Sequence, residues 1–423
     1  MSYQEIDEFL PSPAPIFRNG VGVPAHLVEK IDDHGTYHRG GQNPVYLGEF
    51  LGEHGRYQVV HKLRGGGSGN VWLCRDTKYA SPTYVAIKII IAELRQGNEY
   101  KRLMQLNILS INNANVAKYL LTPWKHFEHS GPNGRHDCFV FPVFEGGHLG
   151  NFCARVHHPP SFLRGLARES TDFYPGNILI GRMGPNGRPD GLDGKSEEYI
   201  LQRQRGPIRV VTYYYHDPTD AAEPPYLVLN RRPEELNLIT GSSQICVANF
   251  ADTVGHADPP GNGSSIPRDY AAPETVLDLG LDYQFGFASD IWSLALTLLT
   301  IRRVGPATPF SADSQLSYLG SLVHTLGTPP GPLYSEWYEE WKGSEEHLED
   351  EPFPLHDFLR VSLGSAGGDR VCTPGTSYWA EPVPEDERAL LEDLVRKMLH
   401  YLPEERPSID EVLAHPWFSY GQE

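Results

Sequence analysis

The sequence lacks the features of membrane proteins and of disulfide-bonded proteins. None of its apolar runs reaches the ~18 residues that a membrane-spanning helix needs, so no membrane partner is expected. Its 5 cysteines are scattered, odd in number and without metal-ligand spacing, which indicates a reducing compartment and no disulfide framework. The first residues are acidic, so we do not expect a secretory signal peptide. The expected localisation is the cytoplasm, the nucleus or both.

Positive charge is also scarce, because 36 Lys and Arg residues stand against 54 Asp and Glu residues and the net charge is −18. This balance argues against direct binding of nucleic acid, whose phosphates attract basic surfaces, and it permits a basic protein substrate. An ordinary solvated acidic surface explains the charge equally well. The 423 residues, 39% of them hydrophobic, are enough for a sizeable core.

The most informative stretch consists of apolar, β-branched segments joined by glycines. Residues 57–63 and 70–74 have the composition of strands, and residues 64–69 between them (Arg-Gly-Gly-Gly-Ser-Gly) form the glycine loop. Glycine lets backbone N–H groups approach a bound phosphate without a Cβ in the way. A third predicted strand, residues 84–90, carries Lys88, which is costly to bury unless it meets an anion. Strand, glycine loop, strand and then Val-Ala-Ile-Lys is typical of the nucleotide end of a protein kinase.

The segments on either side of this stretch supply its expected partners. A helix predicted over residues 92–106 contains Glu99, which we expect to pair with Lys88 unless it is an ordinary solvated helix residue. Residues 138–142 are predicted to form a buried strand. Residues 1–50, rich in Pro, Gly and His, are interpreted as an extended leader that packs partly on the first domain.

A second motif combines an acid and an amide. Asp172 and Asn177 stand five residues apart, just before an apolar strand, and match the Asp-x-x-x-x-Asn of a kinase catalytic loop. In that pattern the Asp accepts or orients the proton of the substrate hydroxyl, and the Asn carbonyl oxygen holds a metal ion. Taken alone, the pattern indicates no more than a turn before a strand. Its place after the glycine loop and Lys88 makes it specific.

Residues 181–243 interrupt the expected order of motifs. They are polar and charged, and we interpret them as an insertion with strand content at residues 208–215 and 226–229. The order resumes at Asn249-Phe-Ala, where the metal-binding Asp-Phe-Gly motif of kinases should stand.

Further motifs follow the insertion in the expected order. Residues 272–274 read Ala-Pro-Glu, and residues 289–293 (Ser-Asp-Ile-Trp-Ser) begin an apolar helix that is predicted to end at Ile301. With these residues in view, the chain resembles eukaryotic serine/threonine protein kinases over residues 57–420.

A narrower resemblance rests on three softer features. Residues 43–49 (Asn-Pro-Val-Tyr-Leu-Gly-Glu) precede the first strand, residues 71–76 read Val-Trp-Leu-Cys-Arg-Asp, and the insertion stands where one kinase family places a spacer. On these features the chain resembles the serine/arginine-rich-protein kinases, especially their fungal relatives.

The resemblance implies an α+β fold of two lobes. The small lobe, residues 51–143, would hold an antiparallel sheet and one helix, and the larger lobe, residues 144–420, would be mainly helical and carry the insertion. It also implies ATP and Mg²⁺ as cofactors. Catalytic roles are implied for Asp172, Lys88 and Glu99, metal binding for Asn177 and Asn249, and ATP binding for Leu63, Gly65, Gly66, Gly67, Gly69, Val71, Ala86, Lys88, Phe141 and Val143. An ion pair between Glu274 and Arg406 is implied in the larger lobe. Asp290 would be either a helix N-cap or a support for the catalytic loop.

The chain departs from the family pattern at several positions. Arg64 follows Leu63 where the family has Gly, and Tyr174 replaces the Lys that would contact the transferred phosphate. Asn249 offers an oxygen but no charge to a metal ion. Only 27 residues separate Phe144 from Asp172, too few for the two helices of the family. Either the larger lobe has lost part of its core, or coding residues are missing from the sequence.

Three functions therefore stay open at this stage. The first is an ATP-dependent protein serine/threonine kinase that acts as a monomer on a basic protein substrate rich in Arg and Ser. The second is a pseudokinase that binds nucleotide or partners without efficient transfer, because charged groups at positions 174 and 249 are both missing. The third is a small-molecule phosphotransferase, which the Ala-Pro-Glu and Ser-Asp-Ile-Trp-Ser motifs disfavour.

Overall fold

The computed structural model of the chain divides it into two compact units. The first comprises residues 1–147 and 180–245, and the second comprises residues 148–179 and 246–423. The structure describes residues 16–18, 21–23, 32–113, 119–144, 174–182, 192–203, 209–211, 224, 226–228, 243–250, 266–277, 279, 286–302, 308–310, 313–344, 352–363, 371–372, 379–380 and 383–420.

The described part of the first unit contains a short antiparallel hairpin and a six-stranded sheet. The hairpin pairs β1 (Ile16–Arg18) with β2 (Val21–Val23). The sheet has the order β3-β4-β5-β6-β8-β7, and its neighbouring strands are antiparallel. Its strands are β3 (Phe50–Leu51), β4 (Tyr57–Arg64), β5 (Gly69–Asp76), β6 (Tyr84–Ile90), β7 (Lys125–Gly131) and β8 (Gly134–Phe141). The strands predicted from composition are thus present.

Side-chain alternation gives the sheet two different faces. One face carries a fully apolar cluster to which β6 contributes Val85, Ile87 and Ile89. The residues between them, Ala86 and Lys88, therefore point to the opposite face. Lys88, the single lysine of this strand, therefore lies on the face away from the apolar cluster, where a ligand and a helix can reach it.

The leader and the insertion cover the apolar face together. Val45 of the leader and Val228 of the insertion belong to the apolar cluster, and Leu47 and Tyr226 pack against it. The Leu47 backbone N–H donates to the Tyr226 hydroxyl at 3.1 Å. The expected packing of the leader on the first domain is therefore present among the described residues, and part of the insertion packs there too.

The described insertion contains short regular elements. Strands β10 (Arg209–Val211) and β11 (Tyr226–Val228) form an antiparallel pair, close to the predicted strand positions, and α2 spans Glu197–Arg203. At the two ends of the insertion, β9 (Ile178–Arg182) pairs with β12 (Ser243–Val247). The Tyr84 hydroxyl of the sheet donates to the Lys195 carbonyl at 3.0 Å, and burial raises the pKa of Tyr84 to about 12.

The predicted helix of the first unit begins later than its sequence suggests. A single 3₁₀ turn covers Ala92–Leu94, and the helix α1 spans Asn98–Asn112. Gln96 between them has a φ of 56°, outside the helical region, and its N–H donates to Asp137 at 2.8 Å. A residue in that conformation ends one helical turn, so a continuous helix over residues 92–106 was a wrong prediction.

The second unit is mainly helical in its described part. It also contains the antiparallel pair β13 (Val371–Cys372) and β14 (Trp379–Ala380). Its helices are α3 (Pro273–Val276), α4 (Phe287–Arg302), α5 (Gln315–Leu326), α6 (Ser335–Lys342), α7 (Leu355–Ser362), α8 (Glu385–Met398) and α9 (Ile409–Ala414). The predicted apolar helix is α4, which is buried from Ile291 to its end. Across the described ranges, no helix of the chain is both long and apolar enough to cross a membrane.

Two buried ion pairs tie the helices of the second unit together. Arg406 binds both carboxylate oxygens of Glu274 at 2.7 Å, as predicted, and both side chains are fully buried. Arg302 and Glu387 form a second buried pair at 2.8 and 2.5 Å. Removing one member of such a pair leaves an uncompensated charge and typically costs about 3–5 kcal/mol.

Asp290 lies inside the first turn of α4, and its N–H donates to the Gly286 carbonyl at 3.3 Å. It is therefore not the N-cap of this helix. Its alternative role, support of the catalytic loop, stays a prediction because Asp172 lies outside the described residues.

Candidate functional site

The first unit brings the predicted catalytic lysine and glutamate together. Lys88 Nζ of β6 contacts Glu99 Oε1 of α1, and the two side chains are 13% and 7% exposed. Glu99 is the second residue of α1, where the helix macrodipole favours negative charge. The pairing expected from the sequence is present, and the catalytic role of the pair stays a prediction.

The predicted nucleotide-lining side chains occupy neighbouring strands. Ala86 of β6 pairs with Phe141 of β8, and Lys88 pairs with Val71 of β5. Ala86 and Phe141 are buried, as is Val143 just after β8, whereas Leu63 on β4 is partly exposed. The sheet therefore gathers residues from four strands around Lys88, which is consistent with an apolar surface for a base and a cation for its phosphates.

The four glycines predicted to bind ATP differ in whether the surrounding structure leaves room for a side chain. Gly69 has a φ of 150°, and a Cβ there would lie 2.1 Å from the Ile89 carbonyl oxygen. A Cβ on Gly65 would lie 2.0 Å from Asp32 Oδ1. A Cβ on Gly66 would meet only the Gly69 carbonyl oxygen, at 3.7 Å, and a Cβ on Gly67 would meet no atom within 4 Å. The protein itself thus requires glycine at 65 and 69, whereas 66 and 67 leave room for a ligand.

The predicted metal ligands lie on adjacent segments of the second unit. Asn177 closes the 3₁₀ turn Pro175–Asn177. Its backbone carbonyl oxygen, not the side-chain oxygen predicted to bind metal, accepts a 2.8 Å hydrogen bond from the Ala248 N–H. Asn249 follows directly and has a φ of 67°. Asn and Asp adopt this left-handed conformation more readily than other residues with a Cβ. Asp172, the third predicted residue of this region, lies outside the described residues.

This donor set suits Mg²⁺ in atom type but not in charge. Mg²⁺ prefers oxygen ligands and is usually held by one or two carboxylates together with substrate phosphates. Asn177 and Asn249 provide amide oxygens only. Among the residues that the structure describes, no group of three or more His, Cys, Asp or Glu side chains could hold a metal ion. A metal bound here would depend on nucleotide phosphates for most of its negative charge.

Tyr174 is packed into the second unit. It is 8% exposed, and its ring lies 6.1 Å from the Tyr270 ring. A Cβ on Gly176 would lie 2.3 Å from Tyr174 Cε2, so the ring occupies the space that this glycine leaves. This packing was not predicted from the sequence, in which Tyr174 stood out only as a missing charge. The signal was the glycine two residues after an aromatic residue.

Comparisons with known proteins show similarity to protein kinases. Residues 255–418 match the protein kinase domain. A serine/threonine protein kinase of Aspergillus fumigatus is 23% identical in an alignment of 411 residues that covers 90% of this chain and 88% of the relative. The serine/threonine-protein kinase SRPK of Physarum polycephalum is 23% identical in an alignment of 442 residues, gaps included, that covers 92% of each chain. The human dual specificity protein kinase CLK1 is 24% identical in an alignment of 383 residues that covers 86% of this chain and 66% of the relative.

These similarities confirm the predicted resemblance to serine/threonine protein kinases and, among them, to serine/arginine-rich-protein kinases. The similarity to a CLK kinase was not predicted. They also confirm the predicted bilobal α+β kinase fold, with its antiparallel sheet and mainly helical part.

The glycine loop gives a first prediction. Gly66→Ala and Gly67→Ala should leave the free energy of unfolding within about 1 kcal/mol of wild type, because alanine fits both places. Each should weaken ATP binding, because a Cβ would face the phosphates. Gly69→Ala should instead lower stability through its φ and its contact with Ile89. Urea unfolding and ATP titration of the three variants check this. Equal losses of stability at positions 66 and 69 would contradict it.

The packing of Tyr174 gives a second prediction. Tyr174→Lys should lower the free energy of unfolding by about 3 kcal/mol, because it places an uncompensated charge in a buried aromatic contact. Tyr174→Phe, the matched control, keeps the ring and should cost at most about 1.5 kcal/mol. Urea unfolding measures both. If Tyr174→Lys is as stable as wild type, the lysine has found a solvated or anionic position and the ring contact does not define this site.

Proposed function

This chain carries a protein kinase domain, and from that premise we propose that it transfers the γ-phosphoryl group of ATP to serine or threonine hydroxyls of a protein. The observation that supports this most directly is the ion pair between Lys88 and Glu99 next to the glycine loop. A buried cation on an apolar strand, oriented by a helix carboxylate, is suited to hold phosphate oxygens of a nucleotide.

The proposed role of each group comes from its position in the kinase motifs of the sequence and is supported, where the group is described, by its contacts. Gly66 and Gly67 leave their backbone N–H groups open to the phosphates, and Lys88 neutralises part of the phosphate charge. The substrate hydroxyl oxygen bonds to the γ-phosphorus, the bond to the β-phosphate oxygen breaks, and Asp172 takes the hydroxyl proton. Asn177 and Asn249 would hold Mg²⁺, which supplies positive charge to the phosphates when bound.

The proposed substrate is a basic protein rich in Arg and Ser. The resemblance to serine/arginine-rich-protein kinases indicates this class, and the net charge of −18 is compatible with a basic partner. The described cysteines Cys74, Cys138 and Cys246 are buried free thiols, which suits the reducing environment of the proposed location in the cytoplasm or nucleus.

A pseudokinase is the second candidate, and two observations favour it. Asn249 contributes no charge to a metal, and Tyr174 is packed against Tyr270 where a phosphate-binding lysine is expected. Each missing charge-assisted contact is worth about 1.5–3 kcal/mol, so the loss of two would slow transfer by orders of magnitude.

The direct test is a transfer assay with radiolabelled ATP and an Arg-Ser repeat peptide, run beside an acidic casein-type substrate. Incorporation into the basic peptide that Asp172→Ala abolishes would establish the proposed kinase. Nucleotide binding with no incorporation into either substrate would instead establish the pseudokinase.

The ion pair gives a third prediction, on nucleotide binding. ATP should raise the melting temperature of the wild type, because a ligand that binds only the folded state stabilises it. Lys88→Met should abolish the rise, since it removes the cation at the phosphates, whereas the exposed Lys78→Met should retain it. For each variant, the melting temperature with ATP is compared with its own melting temperature without ATP, so a variant that is less stable without ATP can still be tested. An unchanged shift in Lys88→Met would contradict the role assigned to Lys88.

Asn249 gives a fourth prediction, on the metal. Asn249→Asp should strengthen Mg²⁺-dependent ATP binding by about tenfold, because it adds one negative charge at a backbone conformation that Asp also tolerates. ATP titrations over a range of Mg²⁺ concentrations measure this. Activity that appears only in Asn249→Asp would indicate a recently disabled enzyme. A weaker Mg²⁺ response than wild type would show that residue 249 does not face the metal.

A further inference from the structure

A second buried lysine lies at the base of the glycine loop. Lys62 on β4 contacts Asp32 of the leader, and the two side chains are 1% and 3% exposed. Burial lowers the pKa of Lys62, and the negative charge of Asp32 opposes that lowering. Neither residue belongs to the nucleotide-binding set proposed above, so the mechanism does not account for the pair.

The leader surrounds this pair with further hydrogen bonds. The Tyr37 hydroxyl donates to Asp32 Oδ2 at 2.7 Å, and Asn70 Nδ2 donates to the same oxygen at 3.1 Å. Asn70 Nδ2 also contacts Gln42 Oε1 of the leader. Lys62 precedes the glycine loop and Asn70 follows it, so both strands that carry the loop are attached to the leader.

The leader also reaches the loop itself. Gln42 Nε2 donates to the Gly66 carbonyl oxygen at 3.4 Å. A Cβ on residue 65 would lie only 2.0 Å from Asp32 Oδ1 and would clash with it. The absence of a side chain at Gly65 is therefore what admits the Asp32 carboxylate beneath the loop.

The same part of the leader is attached to the approach to α1. The Ala92 N–H donates to the Gly41 carbonyl at 3.1 Å, and the Glu93 N–H donates to the Gly40 carbonyl at 2.7 Å. One short segment is thus bonded both to the glycine loop and to the turn that leads into the helix carrying Glu99.

We propose that residues 32–42 act as a leader clamp that fixes the glycine loop in its phosphate-binding position through the buried pair of Asp32 and Lys62. This inference rests on the proposed nucleotide-binding function. Asp32, Lys62 and Gln42 are positioning residues, since none of them is assigned a contact with the nucleotide. A preorganised loop binds phosphate more tightly because less conformational entropy is lost on binding.

The clamp is tested by its separate effects on the phosphates and on the nucleoside. Asp32→Asn should speed hydrogen exchange of the amides of residues 64–70 in the ligand-free protein. It should also weaken ATP and ADP binding by about tenfold, while adenosine binding stays unchanged. A change that merely loosened the unit would weaken all three ligands alike.

Two further variants keep the test informative if Asp32→Asn does not fold. Asp32→Leu/Lys62→Met removes both charges, and such replacements often preserve stability. Gln42→Leu leaves the ion pair intact and removes the hydrogen bond to Gly66. The double variant should match Asp32→Asn in exchange and affinity, and Gln42→Leu should show a smaller change, about threefold.

The matched control is Asp76→Asn. Asp76 is 3% exposed in its ion pair with Arg56, and it lies opposite Tyr57 at the far end of the same two strands. Asp76→Asn should therefore lower stability without changing loop exchange or the ratio of ATP to adenosine affinity.

The possible outcomes separate the clamp from the proposed function. Equal loss of ATP and adenosine affinity, or the same loop exchange in Asp76→Asn, would overturn the clamp. Unchanged hydrogen exchange in both Asp32→Leu/Lys62→Met and Gln42→Leu would also overturn the clamp, even in an active enzyme.

If the wild type binds neither ATP nor ADP, the proposed function fails, and with it the phosphate-binding purpose of the clamp. The exchange data then show only whether the leader holds the loop.

Discussion

Burying a lysine ammonium costs several kcal/mol unless a carboxylate meets it, and the first unit solves this problem twice. Lys88 on β6 is met by Glu99 of α1, and Lys62 on β4 is met by Asp32 of the leader. Both lysines are fixed by their strands, so each carboxylate has to be delivered by an element outside the sheet. The positions of the helix and of the leader therefore follow from where the sheet places its two cations.

In the second unit, by contrast, the residues predicted to bind metal and phosphate carry no charge. A backbone hydrogen bond joins Asn177 to Ala248, the residue before Asn249. Both asparagines are neutral, and Tyr174 makes an aromatic contact where a lysine is expected. Elsewhere in the same unit, buried charge is fully compensated, as in the pair of Glu274 and Arg406. The described part of the second unit thus keeps its buried ion pairs, whereas the residues predicted to bind metal and phosphate carry no charge.

The sequence predicted the features that depend on local pattern. Apolar, β-branched segments located the strands, and an acid in the following helix located the partner of Lys88. The start of α1 was mispredicted because the positive φ of Gln96 is stabilised by Asp137, a partner 41 residues away. The contact between Asp32 and Lys62 was equally beyond local pattern, although a lysine in a predicted strand was a visible signal. The role of Asp172 stays a prediction from its motif alone.

The backbone conformation at residue 249 limits how its substitution can be explained. A φ of 67° favours Asn and Asp over most other residues, so this conformation alone does not account for an amide in place of a carboxylate. The difference between the two is chemical, namely one negative charge at the metal. With two amide oxygens as the described protein donors, Mg²⁺ would gain most of its anionic ligands from the nucleotide phosphates. A metal ion held by these two amides should therefore bind together with ATP rather than before it.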